Sequence, residues 1–208
     1  MIKVSNPEEL YLPMKTLRDQ LKFYDELKWT NISKTNYGVI KQFIGLFFEH
    51  ERAKFSCYIF HKNDLDLRKH FSGNLYRAYE AFASMQLCSN VRQNEVVTLL
   101  ADDMSVPSTV RFEQNVTQRV NQKLNRRAVH GVCRVYSKGV ELIQLTDLLL
   151  GAVAYDLKIS NQLISSPSKG KREVLKFTKK HAGVPTLTND MRTKQLDVWN
   201  FKNKPRKT

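Results

Sequence analysis

Apolar positions recur along this chain with two periods. From Pro7 to Tyr24, Leu10, Leu17, Leu21 and Tyr24 fall at spacings that share one helical face. From Tyr37 to Glu49, Ile40, Phe43, Ile44 and Phe47 do the same, with Thr35 or Asn36 placed to cap the start. Leu75 to Leu87 is also helical in pattern. Pro107-Ser108 predicts the start of a long amphipathic helix to about Asn125. Its polar face holds Arg111, Gln114, Gln118, Arg119, Gln122, Lys123 and Arg126. Three short runs are strand-like: Phe55–Phe60, Glu95–Ala101 and Val129–Val135. The first is rich in strand formers and short enough to be a buried strand, and the second reads as another buried strand. Glu26 to Ser33 breaks the pattern and reads as a loop, as does Ser165 to Gly170. Strands alternating with helices predict an α/β domain over residues 1–200, with a basic flexible tail over 201–208. Three strands are few for a domain of this length.

One stretch departs from ordinary amphipathic patterning. Glu141 to Tyr155 is apolar almost all round, with Leu142, Leu145, Leu148, Leu149 and Val153 facing a core. Gln144 and Asp147 interrupt it on one face, a turn apart. A carboxylate in such a setting is costly unless it is paired, hydrogen-bonded or bound to a metal. Two expectations stand side by side: a metal ligand, or a carboxylate at the rim of the core bonded to a neighbour. The helix over Lys169–Lys180 is basic.

Charge changes the picture next. The chain carries 34 Lys+Arg against 20 Asp+Glu, a net charge of +14. Folding does not require that excess, and it favours a polyanionic partner, nucleic acid first. Lys28, Arg111, Arg119, Lys169, Lys171 and Arg172 are the candidate phosphate contacts. No base-reading motif is present, so backbone or shape recognition is expected. The three cysteines, Cys57, Cys88 and Cys133, are scattered and form no CxxC pair, which suits small buried hydrophobes better than disulfides or zinc. His50, His61, His70, His130 and His181 show no ligand spacing and are expected at the surface or in packing roles. No apolar run approaches the roughly 20 residues that span a bilayer, and the start lacks a signal peptide, so the expected location is the cytoplasm.

Three carboxylates sit where chemistry usually sits. Asp102 ends a strand, with Asp103 beside it, and α/β sheets bind ligands at that end. Asp147 lies on the core-facing helix, and Glu26 lies in the loop beside Lys28 and Trp29. Carboxylates are the preferred protein ligands of Mg²⁺ and Mn²⁺. Two ions about 3.5–4 Å apart promote phosphodiester hydrolysis. Asp102-Asp103 is equally an ordinary turn opener, and Asp25 to Lys28 an ordinary charge cluster. No P-loop, GxGxxG or Ser/His/Asp arrangement occurs.

In order, Glu26-Leu27-Lys28-Trp29, Leu99 to Asp103, and Ile143-Gln144-Leu145-Thr146-Asp147-Leu148-Leu149-Leu150-Gly151-Ala152 resemble the domain-of-unknown-function 3800 (DUF3800) family of bacterial and phage proteins. The resemblance runs from about Leu17 to Phe201. The Gln-x-x-Asp-x-x-x-Gly element carries most of it. It implies a ribonuclease H-like mixed sheet flanked by helices. It also implies a Mg²⁺- or Mn²⁺-dependent nuclease using Glu26, Asp102 and Asp147 as ligands and catalytic groups, supported by Gln144 and Asp103. Members begin with an Asp-Glu-Ser-Gly strand that this chain lacks. The expectation is therefore an N-terminally truncated member, with three accounts open: a fragment or misassigned start codon, a chain completed by another polypeptide, or a truncated and inactive member; a partner chain or homo-oligomer is a separate expectation. The alternative function is a catalytically degenerate nucleic-acid-binding or regulatory module.

Overall fold

A computed structural model describes residues 1–60, 66–103 and 110–201. His61, Pro107, Ser108 and the tail from Lys202 onward, all named in the expectations above, lie outside the described residues. The chain is α/β, with helices flanking strands paired both parallel and antiparallel. It divides into two compact units, one of residues 1–59 with 140–200, the other of residues 60–139 with Phe201. No helix among the described residues is long and apolar enough to cross a membrane.

The first unit holds β1 (Ile2–Lys3), α1 (Glu8–Leu21), α2 (Tyr37–Glu49), β2 (Lys54–Phe60), α6 (Glu141–Ser160), α7 (Lys169–Ala182), β5 (Met191–Arg192) and β6 (Leu196–Phe201). Its sheet runs in the order β1-β2-β6-β5. β1 pairs antiparallel with β2, Ile2 opposite Phe55. The ladder continues to Met1, whose amino group donates to the Ser56 carbonyl at 2.8 Å. Burial pushes that amine down to about 6. α1 stops at Leu21 because Lys22 takes a left-handed conformation (φ 49°) and its N–H closes on the Arg18 and Asp19 carbonyls. Tyr24, expected on the inner helical face, is therefore outside the helix and exposed. α2 follows its periodicity: Ile40, Phe43, Ile44 and Phe47 are all buried. They meet Leu10 and Met14 of α1, Leu145, Leu148 and Leu149 of α6, and Phe55 of β2 in one core. Each such side chain contributes about 1.5–3 kcal/mol by leaving water. Neither β5 nor β6 is among the strands expected from the sequence. Leu196 and Val198 alternate inward there and are buried.

The second unit holds α3 (Leu67–Phe71), α4 (Leu75–Asn90), β3 (Val97–Asp102), α5 (Phe112–Lys123) and β4 (Val129–Val135). β3 and β4 form a two-stranded parallel pair, Leu99 opposite Val132, with α5 as the crossover. β3 is not the fully buried strand its composition suggested. Val97, Leu99 and Ala101 are half-buried, while Thr98, Leu100 and Asp102 are exposed. α5 begins at Phe112, later than the expected start, and buries Phe112, Val116 and Val120. Arg126 leaves the polar face expected of it and donates to the Glu95 carbonyl at 2.6 Å. Asn121 steers the chain into β4: its Oδ1 accepts the Ala128 and Val129 N–H groups, and its Nδ2 donates to the Val129 carbonyl. Of the cysteines, only Cys57 is buried as expected. Cys88 is half-buried and Cys133 exposed, because Cys133 faces outward beside Leu100 on the β3–β4 pair.

Candidate functional site

The polar residues of α6 grip the loop that carries Glu26. That loop runs extended through Lys28 and then makes one 3-10 turn, Trp29–Asn31. Leu27 and Trp29 point inward and are buried, and Lys28 is exposed. The side-chain oxygen of Gln144 accepts the Leu27 N–H at 2.8 Å. One turn on, Asp147 Oδ2 accepts the Trp29 N–H at 2.8 Å. One turn further, Gly151 makes room for the indole: a Cβ there would lie 2.2 Å from Trp29 Cγ. Trp29 also packs on Tyr155, ring centroids 5.5 Å apart. The i, i+3, i+7 spacing of Gln144, Asp147 and Gly151 thus matches a strand-like segment laid along one helical face. Each member of the motif has a structural job.

Arg18 completes the clamp. It continues the buried stripe Leu10–Met14 of α1 as a cation on an apolar face. Its Nε and Nη2 form a two-pronged pair with the Glu141 carboxylate at 2.7 and 2.9 Å. Nη2 also donates to Gln144 Oε1, and Nη1 donates to the carbonyls of Phe23 and Asp25. Its guanidinium lies 5.4 Å from the centre of the Phe43 ring. Sequence reading passed over Arg18 and Glu141, although an arginine at i+8 from Leu10 and i+4 from Met14 was the available signal.

The deeply buried carboxylate of α6 is Asp156, not Asp147. Asp147 is half-buried at the core's rim, bonded to a neighbour's backbone. Asp156 is 2% exposed. It holds Lys179 Nζ at 2.5 Å, the Thr186 hydroxyl at 3.0 Å and the Leu187 N–H at 2.7 Å. Burial with this full set of partners ties α6 to α7 and to the chain after it.

Of the expected ligands, Glu26 and Asp147 belong to the first unit, and Asp102 and Asp103 to the second. Glu26 is half-buried, and both aspartates at the end of β3 are exposed. Asp103 lies 3.8 Å from Arg134. Among the described residues, no three Asp, Glu, His or Cys side chains are grouped to hold an ion.

The candidate phosphate contacts divide the same way. Arg111 and Arg119 are exposed in the second unit, at the start and on the outer face of α5. Lys28, Lys169 and Arg172 are exposed in the first unit, and Lys171 is half-buried. α7 carries six Lys or Arg residues and one acid, Glu173. Gly170, Val174, Leu175 and Thr178 are buried, so the opposite face falls to Lys169, Arg172, Lys176 and Lys180, all exposed. These four recur at helical spacing and form a row about 16 Å long. Gly170 is fixed by contact, since a Cβ there would lie 2.3 Å from the Ser33 carbonyl. No family model, no curated protein and no solved structure matches the chain.

Proposed function

We propose that the protein binds nucleic acid through its phosphate backbone, with the outer face of α7 as a principal contact. The observation that carries this reading is the exposed row Lys169, Arg172, Lys176 and Lys180 on a helix whose opposite face is buried. Lysines and arginines in the first turn of a helix oppose its dipole, and a folding role gives no reason for them. Phosphates would offset that repulsion and release condensed counterions. The test is the anisotropy of a labelled oligonucleotide titrated with the wild type and with Arg172→Glu/Lys176→Glu. Wild-type affinity should fall steeply between about 50 and 200 mM salt, with a shallower slope in the variant. Salt-independent binding, or equal binding by the variant, would sink the proposal.

The metal-dependent, ribonuclease H-like nuclease reading has narrower support. It rests on Asp147, which makes no hydrogen bond among the described residues beyond the one to Trp29. Cleavage of DNA or RNA with Mn²⁺ or Mg²⁺, lost with EDTA and in a stably folded Asp147→Asn protein, would restore it.

A further inference from the structure

The flank of the cationic row carries rings as well as charge. α7 packs on α2 along the side that bears Phe177 and His181. His181 is exposed and lies on Phe177, ring centroids 3.9 Å apart, with Phe48 of α2 at 5.7 Å. Lys41 of α2 reaches over the Tyr37 ring at 5.1 Å and over Phe177 at 5.9 Å. Phe48 and Phe177 have a packing role, since both lean on the core. His181 packs on Phe177 and places Nδ1 2.9 Å from the Phe177 carbonyl, yet it stays exposed, and Tyr37 and Lys41 stand half-exposed at the same seam. Rings and a cation therefore lie together where α2 packs on α7, the helix that carries Lys176 and Lys180.

We infer that this seam takes single-stranded nucleic acid, with phosphates along the α7 row and unpaired bases stacked on His181 and Tyr37. The inference rests on the nucleic-acid reading above and narrows its substrate class. A duplex keeps its base faces stacked inside, so it can use the cations but not the rings. A single strand can use both, and stacking on aromatic rings tolerates any base. The absence of a base-reading motif in the sequence agrees with such tolerance.

The experiment compares a labelled oligothymidylate with a duplex of the same length, at one salt concentration, across three proteins. The wild type should bind the single strand about tenfold more tightly. Tyr37→Ala/His181→Ala should weaken single-strand binding about tenfold and leave duplex binding within about twofold. His181→Tyr, which keeps a ring, should retain single-strand affinity, and this separates loss of stacking from loss of fold. Equal affinity for the two probes, or no effect of the double alanine variant, overturns the single-strand inference and leaves the proposed function standing. If Arg172→Glu/Lys176→Glu also binds both probes like the wild type, the proposed function falls with it.

Discussion

The two units of this chain are stabilised by different means. In the first, large side chains from four helices and the sheet meet in one continuous core that includes Phe43, Phe47, Phe55 and Leu145. In the second, the buried apolar residues are mostly alanine and valine, with Leu87 and Phe112 the large ones. Leu75, Val96, Leu100 and Tyr136 stay exposed there. Its two parallel strands make a sheet of the kind that is seldom stable alone. Polar ties contribute correspondingly more: Asn121 to the start of β4, Arg126 to the chain before β3, and Asn115 to the buried Glu80 at 2.8 Å. Local opening should therefore be far easier in the second unit.

The largest predicted effect tests that contrast directly. Phe47→Ala should cost about 3–5 kcal/mol, because a fully buried ring leaves a cavity its neighbours cannot fill. Val116→Ala in α5 should cost less than half as much. Amide exchange monitored across the chain separates the two. Phe47→Ala should speed exchange in α2 and α6, and Val116→Ala in α5 and β3 with α2 unchanged. Identical exchange patterns would mean that the units do not open separately.

A smaller effect is expected at the clamp. Arg18→Ala removes one partner of a nearly buried pair and leaves Glu141 and two carbonyls short of a donor, a loss of about 3 kcal/mol. Asp147→Ala should cost about 1–2 kcal/mol through the unmet Trp29 N–H, whereas Asp147→Asn keeps an acceptor and should cost much less. Gly151→Ala should also displace Trp29, since the two cannot occupy the same space. Trp29 emission reads out all of these, because the other tryptophan, Trp199, is already half exposed. If Asp147→Asn shifts the emission as far as Asp147→Ala does, the clamp is not held by that acceptor.

Much of the fold was legible in the periodicity. α2 and β4 span the expected residues, and α7 starts where its charge pattern begins. These elements carry their signal locally, in apolar spacing. β5 and β6 were missed because two- and six-residue strands with Asp197 and Asn200 among them show little alternation outside their sheet. The exposure of β3 was missed for a related reason. Composition says that a run can be buried, and the layers around it decide whether it is. At the site, the sequence singled out Gln144, Asp147 and Gly151 but not what they hold. Backbone N–H groups are common to every residue, so no side-chain pattern announces that Leu27 and Trp29 are the partners. Arg18 and Asp156 were passed over because the pairing that makes their burial tolerable is 123 and 23 residues away in the chain.

The smallest effect probes whether charge can stand in for apolar burial in the second unit. Arg134 on β4 donates to Glu113 in the first turn of α5 at 2.5 Å, joining helix to strand. That hydrogen bond, together with the Arg134 charge, holds the Glu113 carboxyl below its ordinary value of 4.5. The unfolded chain therefore takes up the proton first as pH falls. The stabilisation is present above the unfolded value and is lost as pH drops through the folded one. Both side chains are about a quarter to a third exposed, so solvent screening keeps the contribution under about 1 kcal/mol. Glu113→Gln should accordingly speed exchange in α5 and β4 at neutral pH, and the gap to the wild type should close in acid. A gap that persisted below the ordinary carboxylate range would assign the effect to the shape of the side chain and not to its charge. No gap at any pH would mean that the polar ties of this unit hold it no better than water would.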